Sequence, residues 1–144
     1  MPLEALPCEF LFTLTAHTAD KPPATLAGTP SGTRLVVTAM RGSFEGPRLR
    51  GTVADSAGGD WVVIRPDGSM KLDVRVLLRT DDDALIYMTY SGIGRRGEDG
   101  GLVVRTAPQF ETGDERYAWL NGIQAAAHGT TAPGTVTYDV YGLS

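Results

Sequence analysis

Cysteine is nearly absent from this chain, which has only Cys8. One thiol excludes an intrachain disulfide framework and suits a reducing compartment. No base stands near Cys8 in sequence, so it is not read as a nucleophile. Histidine is scarce too. His17 and His128 are far apart, and neither has a Cys or carboxylate at ligand spacing, so no metal site is expected. The acidic run Asp81-Asp82-Asp83 lacks the glycine and terminal glutamate of a calcium loop. No Gly-x-Ser-x-Gly nucleophile elbow occurs. Positive charge is in deficit, with a net charge of −4, which disfavours a nucleic-acid partner. Long apolar runs are missing, so no membrane span is expected. The opening MPLEALPCEF has neither the basic start nor the apolar core of a signal peptide, and a cytoplasmic protein is expected.

Glycine and proline are plentiful, at 18 and 9 in 144 residues, which suits many short strands with frequent turns. No internal repeat or linker divides the chain, so residues 1–144 are read as one domain. Glu9 to His17 alternates, with Phe10, Phe12, Leu14 and Ala16 on one side, and reads as a first strand. Asp20 to Gly32 reads as a loop, Thr33 to Phe44 as a second strand, and Leu49 to Ala54 as a short third. Asp55 to Gly59 reads as another loop. Tyr117 to His128 is ambiguous and is read as a brief turn followed by a strand through Gly129. A single helical turn can begin at a Thr112/Glu115 capping box. Thr135 to Tyr141 alternates as the last of eight or nine strands, a count that favours a barrel or sandwich.

The densest mixture of apolar residues with internal charges runs from Asp60 to Gly92 and reads as three strands joined by two tight turns. If Asp67-Gly68 forms a two-residue primed turn, Asp60 falls opposite Arg75. A second two-residue loop within Asp81 to Asp83 then keeps face parity. One face carries Asp60, Val62, Ile64, Asp73, Arg75, Leu77, Ile86, Met88 and Tyr90. The other carries Trp61, Leu72, Val74, Val76, Leu78 and Tyr87. Two alternatives follow for Asp73 and Arg75. They form a solvated surface pair, or they look inward among Ile86, Met88 and Tyr90 and grip a ligand.

Gly92-Ile93-Gly94-Arg95-Arg96-Gly97 matches the dinucleotide-binding glycine pattern literally, but Glu98-Asp99-Gly100-Gly101 follows where that motif needs a helix. It is read as a hairpin loop with Arg95 and Arg96 in solvent. Tyr117, Trp119 and Asn121 share a face if their segment is extended; they suit a ligand-lined mouth or an anchor at the barrel end. Glu45 is a further carboxylate, solvated or ligand-facing.

Several phrases carry a resemblance: Phe44-Glu45-Gly46-Pro47-Arg48-Leu49, Gly59-Asp60-Trp61, Arg65-Pro66-Asp67-Gly68, Leu72-Asp73-Val74-Arg75, Thr80-Asp81-Asp82, the run from Phe110 to Asn121, and Tyr138-Asp139-Val140-Tyr141. Together the chain resembles the bacterial and fungal family known as the domain of unknown function numbered 3237. The resemblance implies an all-β fold, a single antiparallel barrel broadly like those of lipocalins and allene-oxide cyclases, with at most one short helical turn. The family usually has glycine at the position of Asp83, which supports a turn there, and the chain departs from it over Val53 to Gly58. The resemblance also favours Asp73 and Arg75 pointing inward.

The resulting expectation is a barrel that binds a small, partly apolar organic molecule with a carbonyl, enolate or carboxylate oxygen, and that acts without a cofactor as an isomerase, cyclase or lyase. Arg75 would hold the oxygen, Asp73 orient it or act as base, and Tyr90 donate to a carbonyl. Glu45, Asp60, Met88, Tyr117, Trp119 and Asn121 are the expected ligand contacts. The rival expectation is a non-catalytic binding or assembly module, a homodimer with a solid barrel core.

Overall fold

A computed structural model describes residues 1–17, 22–38 and 40–144, with backbone alone at 55–57. Its elements in chain order are β1 (Cys8–His17), β2 (Ala24–Thr29), β3 (Gly32–Thr38), β4 (Arg41–Glu45), β5 (Arg50–Ile64), β6 (Met70–Thr80), β7 (Leu85–Arg96), β8 (Leu102–Thr106), β9 (Gln109–Glu111), a 3₁₀ helix (Glu115–Gly122), β10 (Ala125–Ala132) and β11 (Thr135–Leu143). All pairings are antiparallel. The order β5-β4-β1-β11-β10-β8-β7-β6 closes because β6 also pairs with β5, so eight strands form a barrel. β3 adds to the outer half of β5 and carries β2 at its edge, and β9 pairs with β7.

Several boundaries differ from the sequence reading. The expected loop Asp20 to Gly32 begins outside the described residues and then holds β2. The expected second strand is two strands, β3 and β4, with Ala39 outside the described residues. The expected third strand and the loop after it are one strand, β5, whose register on β6 shifts between Val53 and Gly58. In β1, an irregularity between Phe10 and Phe12 leaves Phe10 exposed while Phe12 is fully buried. The 3₁₀ helix is capped by Asp114, whose side chain accepts the Arg116 N–H, rather than by Thr112, whose hydroxyl donates to the Leu85 carbonyl.

The two central hairpins decide which side chains enter the barrel. A two-residue loop at Asp67-Gly68 would need an N–H on Pro66 to close the ladder, and proline has none. The chain closes one residue earlier, with the Arg65 N–H on the Ser69 carbonyl at 2.8 Å and the Gly68 N–H on the Arg65 carbonyl at 2.9 Å. Pro66 takes the first central place of the turn, and Gly68, at φ +86°, the left-handed place. The next hairpin repeats the device: the Thr80 N–H meets the Ala84 carbonyl at 2.9 Å, and Asp83 sits at φ 70°. Both loops therefore hold three residues rather than two, and each inverts parity. β5 and β7 keep their expected faces relative to one another, but β6 is reversed between them. Asp60 pairs with Val74 and Gly59 with Arg75, so Leu72, Val74, Val76 and Leu78 point into the barrel.

The core fills the end of the barrel nearest the Asp81–Asp83 turn, where Phe12 packs against Phe44 and Phe110. The 3₁₀ helix closes that end. Its Leu120 is wholly buried, and its Tyr117 hydroxyl donates to both oxygens of Asp82 at 2.8 and 2.9 Å. No described helix is long and apolar enough to cross a membrane.

Candidate functional site

The other half of the barrel is open. A cavity of about 590 Å³ occupies the lumen there. Its walls are mostly apolar, with Leu35, Val37, Met40, Val62, Met70 and Leu72 among them. The barrel is therefore not the solid one of the rival expectation. Small residues recur at the inward positions of two strands of the barrel. On β7 they read Ile86, Met88, Tyr90, Gly92, Gly94, Arg96; Gly92 lies close against Arg105 and Thr106 of β8, and beside Gly94 the side chains of Met70, Leu72 and Val104 line the cavity. On β10 they read Ala125, Ala127, Gly129, again small. A side chain at Gly129 would come within 2.7 Å of the Tyr138 ring, so this glycine is what admits that ring.

Asp60 on β5, Tyr90 on β7 and Tyr138 on β11 reach the cavity from its walls, and His17, Arg96, Thr131 and Thr135 line it as well. The tyrosine rings meet edge to face, 5.2 Å between centroids. Burial raises the Asp60 carboxyl to about 6, and the Asp73 charge adds to the rise. The opposing influence is the Asp73 backbone N–H, which donates to Asp60 Oδ1 at 3.2 Å. Burial likewise pushes the Tyr90 phenol well above the usual tyrosine range, with further contributions from Tyr138 and from the Asp60 charge. Tyr138 is raised for the same reason, against a hydrogen bond with Tyr90 that lowers it. At neutral pH the arrangement is one carboxylate poised to take a proton, beside two phenols that keep theirs.

The expected residues divide. Asp60 and Tyr90 lie in the lumen together. Met88 is 1% exposed and packs in the core rather than along the cavity wall. Asp73 and Arg75 do not face inward: both are exposed on the outer surface, where Arg75 lies 5.8 Å from the ring of Trp61. The three-residue turn after Ile64 is the cause, since it moves every β6 side chain to the opposite face. Glu45 is also outside, 3.4 Å from Arg50. Tyr117, Trp119 and Asn121 belong to the closed end, not to a mouth. There Arg48 stacks on Trp119 at 3.5 Å, and Asn121 makes two hydrogen bonds with the Thr112 backbone.

Tyr138 and Arg96 are among the lumen residues that escaped the sequence reading. Tyr138 was signalled by its place between Val136 and Val140 on the apolar face of an alternating strand. The sequence reading places Arg96 in a solvated loop, but β7 runs through it, and its parity with Tyr90 brings it to the cavity lip. The glycine-rich stretch leads into a turn and β8, not a helix. Among the described residues no group of three or more His, Cys, Asp or Glu side chains gathers as metal ligands would.

The family model described as "Protein of unknown function (DUF3237)" matches residues 6–143. A UPF0311 protein of Rhodopseudomonas palustris is 32% identical over 128 residues, covering 80% of this chain and 82% of that one. A hydroalkoxylation enzyme of Penicillium herquei is 30% identical over 118 residues, covering 81% of this chain and 70% of its own. Among solved structures, a beta-barrel-like protein of Acinetobacter baumannii superposes with a TM-score of 0.90 at 27% identity, covering 99% of both chains.

Proposed function

The chain belongs to the DUF3237 family of proteins of unknown function, and from that premise we propose that its barrel takes a partly apolar, oxygen-bearing organic molecule into the lumen and moves a proton on it. Asp60 is the base, and the Tyr90 and Tyr138 phenols donate to the oxygen that gains charge. The observation that carries this reading is the Asp60 carboxyl, raised to about 6, facing an apolar cavity beside two protonated phenols. A base titrating near working pH and fixed donors aimed at a developing oxyanion are what proton-transfer catalysis needs. Side chains alone supply both.

The relative named as a hydroalkoxylation enzyme suggests one form the chemistry takes. Hydroalkoxylation adds an alcohol O–H across a carbon–carbon double bond. In this lumen Asp60 removes the hydroxyl proton as the oxygen forms its bond to one alkene carbon. The π pair moves toward a conjugated carbonyl, whose oxygen is held by the phenols. The neighbouring carbon then takes the proton back from the Asp60 carboxyl. The step is neutral in atoms and electrons and needs no co-reactant. Run backwards the step is an elimination.

The closure of 2′-hydroxychalcone to flavanone, followed by the loss of the chalcone absorbance, tests the proposal. The native chain should accelerate closure, and Asp60→Asn should remove about 10²- to 10⁴-fold of that acceleration. No acceleration, or an acceleration that survives Asp60→Asn, would refute the assignment.

A further inference from the structure

We infer that the molecule held in the lumen carries a negatively charged oxygen group at its outer end, and that Arg96 is the residue that receives it; this rests on the lumen reading above. Arg96 is the last inward position of β7, after Tyr90, Gly92 and Gly94. Six residues of strand, roughly 20 Å, separate it from Tyr90; β7 itself has only glycines at the inward positions between the phenol and the guanidinium, and the apolar side chains of Met70, Leu72 and Val104 line the cavity beside them. A ligand lying along β7 therefore has apolar surface for its body, Asp60 and the phenols at its inner end, and a cation at its outer end.

The guanidinium is oriented, since Arg96 Nη1 donates to the Gly100 carbonyl at 3.0 Å across the β7–β8 hairpin. That bond uses one of five donors and leaves the fork free to take an oxyanion. The same hairpin carries two acids, Glu98 and Asp99, of which Asp99 accepts the Gly101 N–H at 3.0 Å. An anionic group is excluded from the inner end by the Asp60 carboxylate and by the cost of burying a charge against apolar walls. The lip, where Arg96 is exposed to water and already positioned, is where such a charge is stabilised. Chain length and charge together define the class: an organic acid with a ring or hydrocarbon body.

Two dyes that differ by one charged group make the test. Affinities of the full chain for 8-anilinonaphthalene-1-sulfonate and for its uncharged counterpart N-phenyl-1-naphthylamine are measured by fluorescence, for the native protein, Arg96→Gln and Arg95→Gln. Arg95 loses the same charge one residue away but points outward. The native chain should prefer the sulfonate. Arg96→Gln should weaken the sulfonate by about tenfold and leave the neutral dye unchanged, with Arg95→Gln altering neither. Equal losses from both variants would mean a diffuse surface potential, and the inference falls. A neutral dye that binds while the sulfonate gains nothing also overturns it, leaving the lumen reading intact. If neither dye binds, the lumen reading itself fails.

Discussion

Asp60 is the side chain on which chemistry and stability meet. Its carboxyl titrates near 3.8 in an unfolded chain and at about 6 in the folded one. Between those values the folded protein holds the proton and the unfolded chain does not, so stability falls as pH rises through the window and levels off above it. Full ionisation in the folded state costs on the order of 3 kcal/mol, reduced by whatever water the cavity admits. Asp60→Asn keeps an oxygen for the Asp73 N–H and cannot ionise. It should therefore be more stable than the native chain at pH 7, by about 1–3 kcal/mol, and equal to it near pH 4, as read from urea unfolding at both pH values. A difference that does not change with pH would show that Asp60 is not perturbed. The same residue predicts the direction of the activity profile: turnover rises with pH through about 6, where the carboxylate appears. A gain in stability together with a loss of turnover would mark Asp60 as a group kept for function at the expense of the fold.

At the level of the element, the hairpins show how far the sequence could be read. The strands were legible because alternation is a local signal: β1, β6, β11 and the first part of β7 lie where their apolar periods put them. The partnership of Asp60 with Tyr90 was legible too, because two parity inversions cancel between β5 and β7. The placement of Asp73 and Arg75 was not, since it rested on one hairpin, and a single residue of register exchanges all the side chains of β6 between lumen and solvent. The deciding detail was Pro66, which cannot donate the closing hydrogen bond. Arg96 was missed for a related reason: Gly92 and Gly94 read as punctuation, whereas they are paired positions inside β7, where they lie close against the neighbouring strands. The second hairpin offers a direct check. Asp83 occupies the left-handed region at φ 70°, where an L side chain costs roughly 1 kcal/mol or more. Its ion pair with Arg79 is largely exposed and returns little of that. Asp83→Gly should raise the melting temperature by about 2–5 °C without touching the lumen. A lower melting temperature would mean that the Arg79 contact outweighs the backbone relief.

Across the whole molecule the two ends of the barrel do different work, and the division can be measured. The closed end is a packed plug: Leu120 is wholly buried, Tyr117 is tied to Asp82, and Arg48 is stacked on Trp119. The open end is a cavity of about 590 Å³ lined mostly by apolar side chains. Removing side-chain volume from the plug creates a void that the rigid surroundings cannot close. Leu120→Ala should therefore cost about 2–5 kcal/mol while ligand affinity stays within about twofold of native. Adding volume to the open end should do the reverse. The nearest atoms to a Cβ at Gly94 belong to the side chains of Met70, Leu72 and Val104, at 3.5, 3.6 and 3.8 Å, which are ordinary contacts, and its backbone is not left-handed. All three neighbours line the cavity, so a ring placed there projects into the lumen. Gly94→Phe gives a strand residue of better β propensity, and should unfold at the native urea concentration or slightly above. It should bind N-phenyl-1-naphthylamine at least tenfold more weakly, because the ring takes the space the ligand needs. The double variant should show both losses undiminished, as expected of sites that share no contacts. If Gly94→Phe binds the dye as the native chain does, ligands do not enter the barrel at all, and Asp60, Tyr90 and Tyr138 face a cavity with no function.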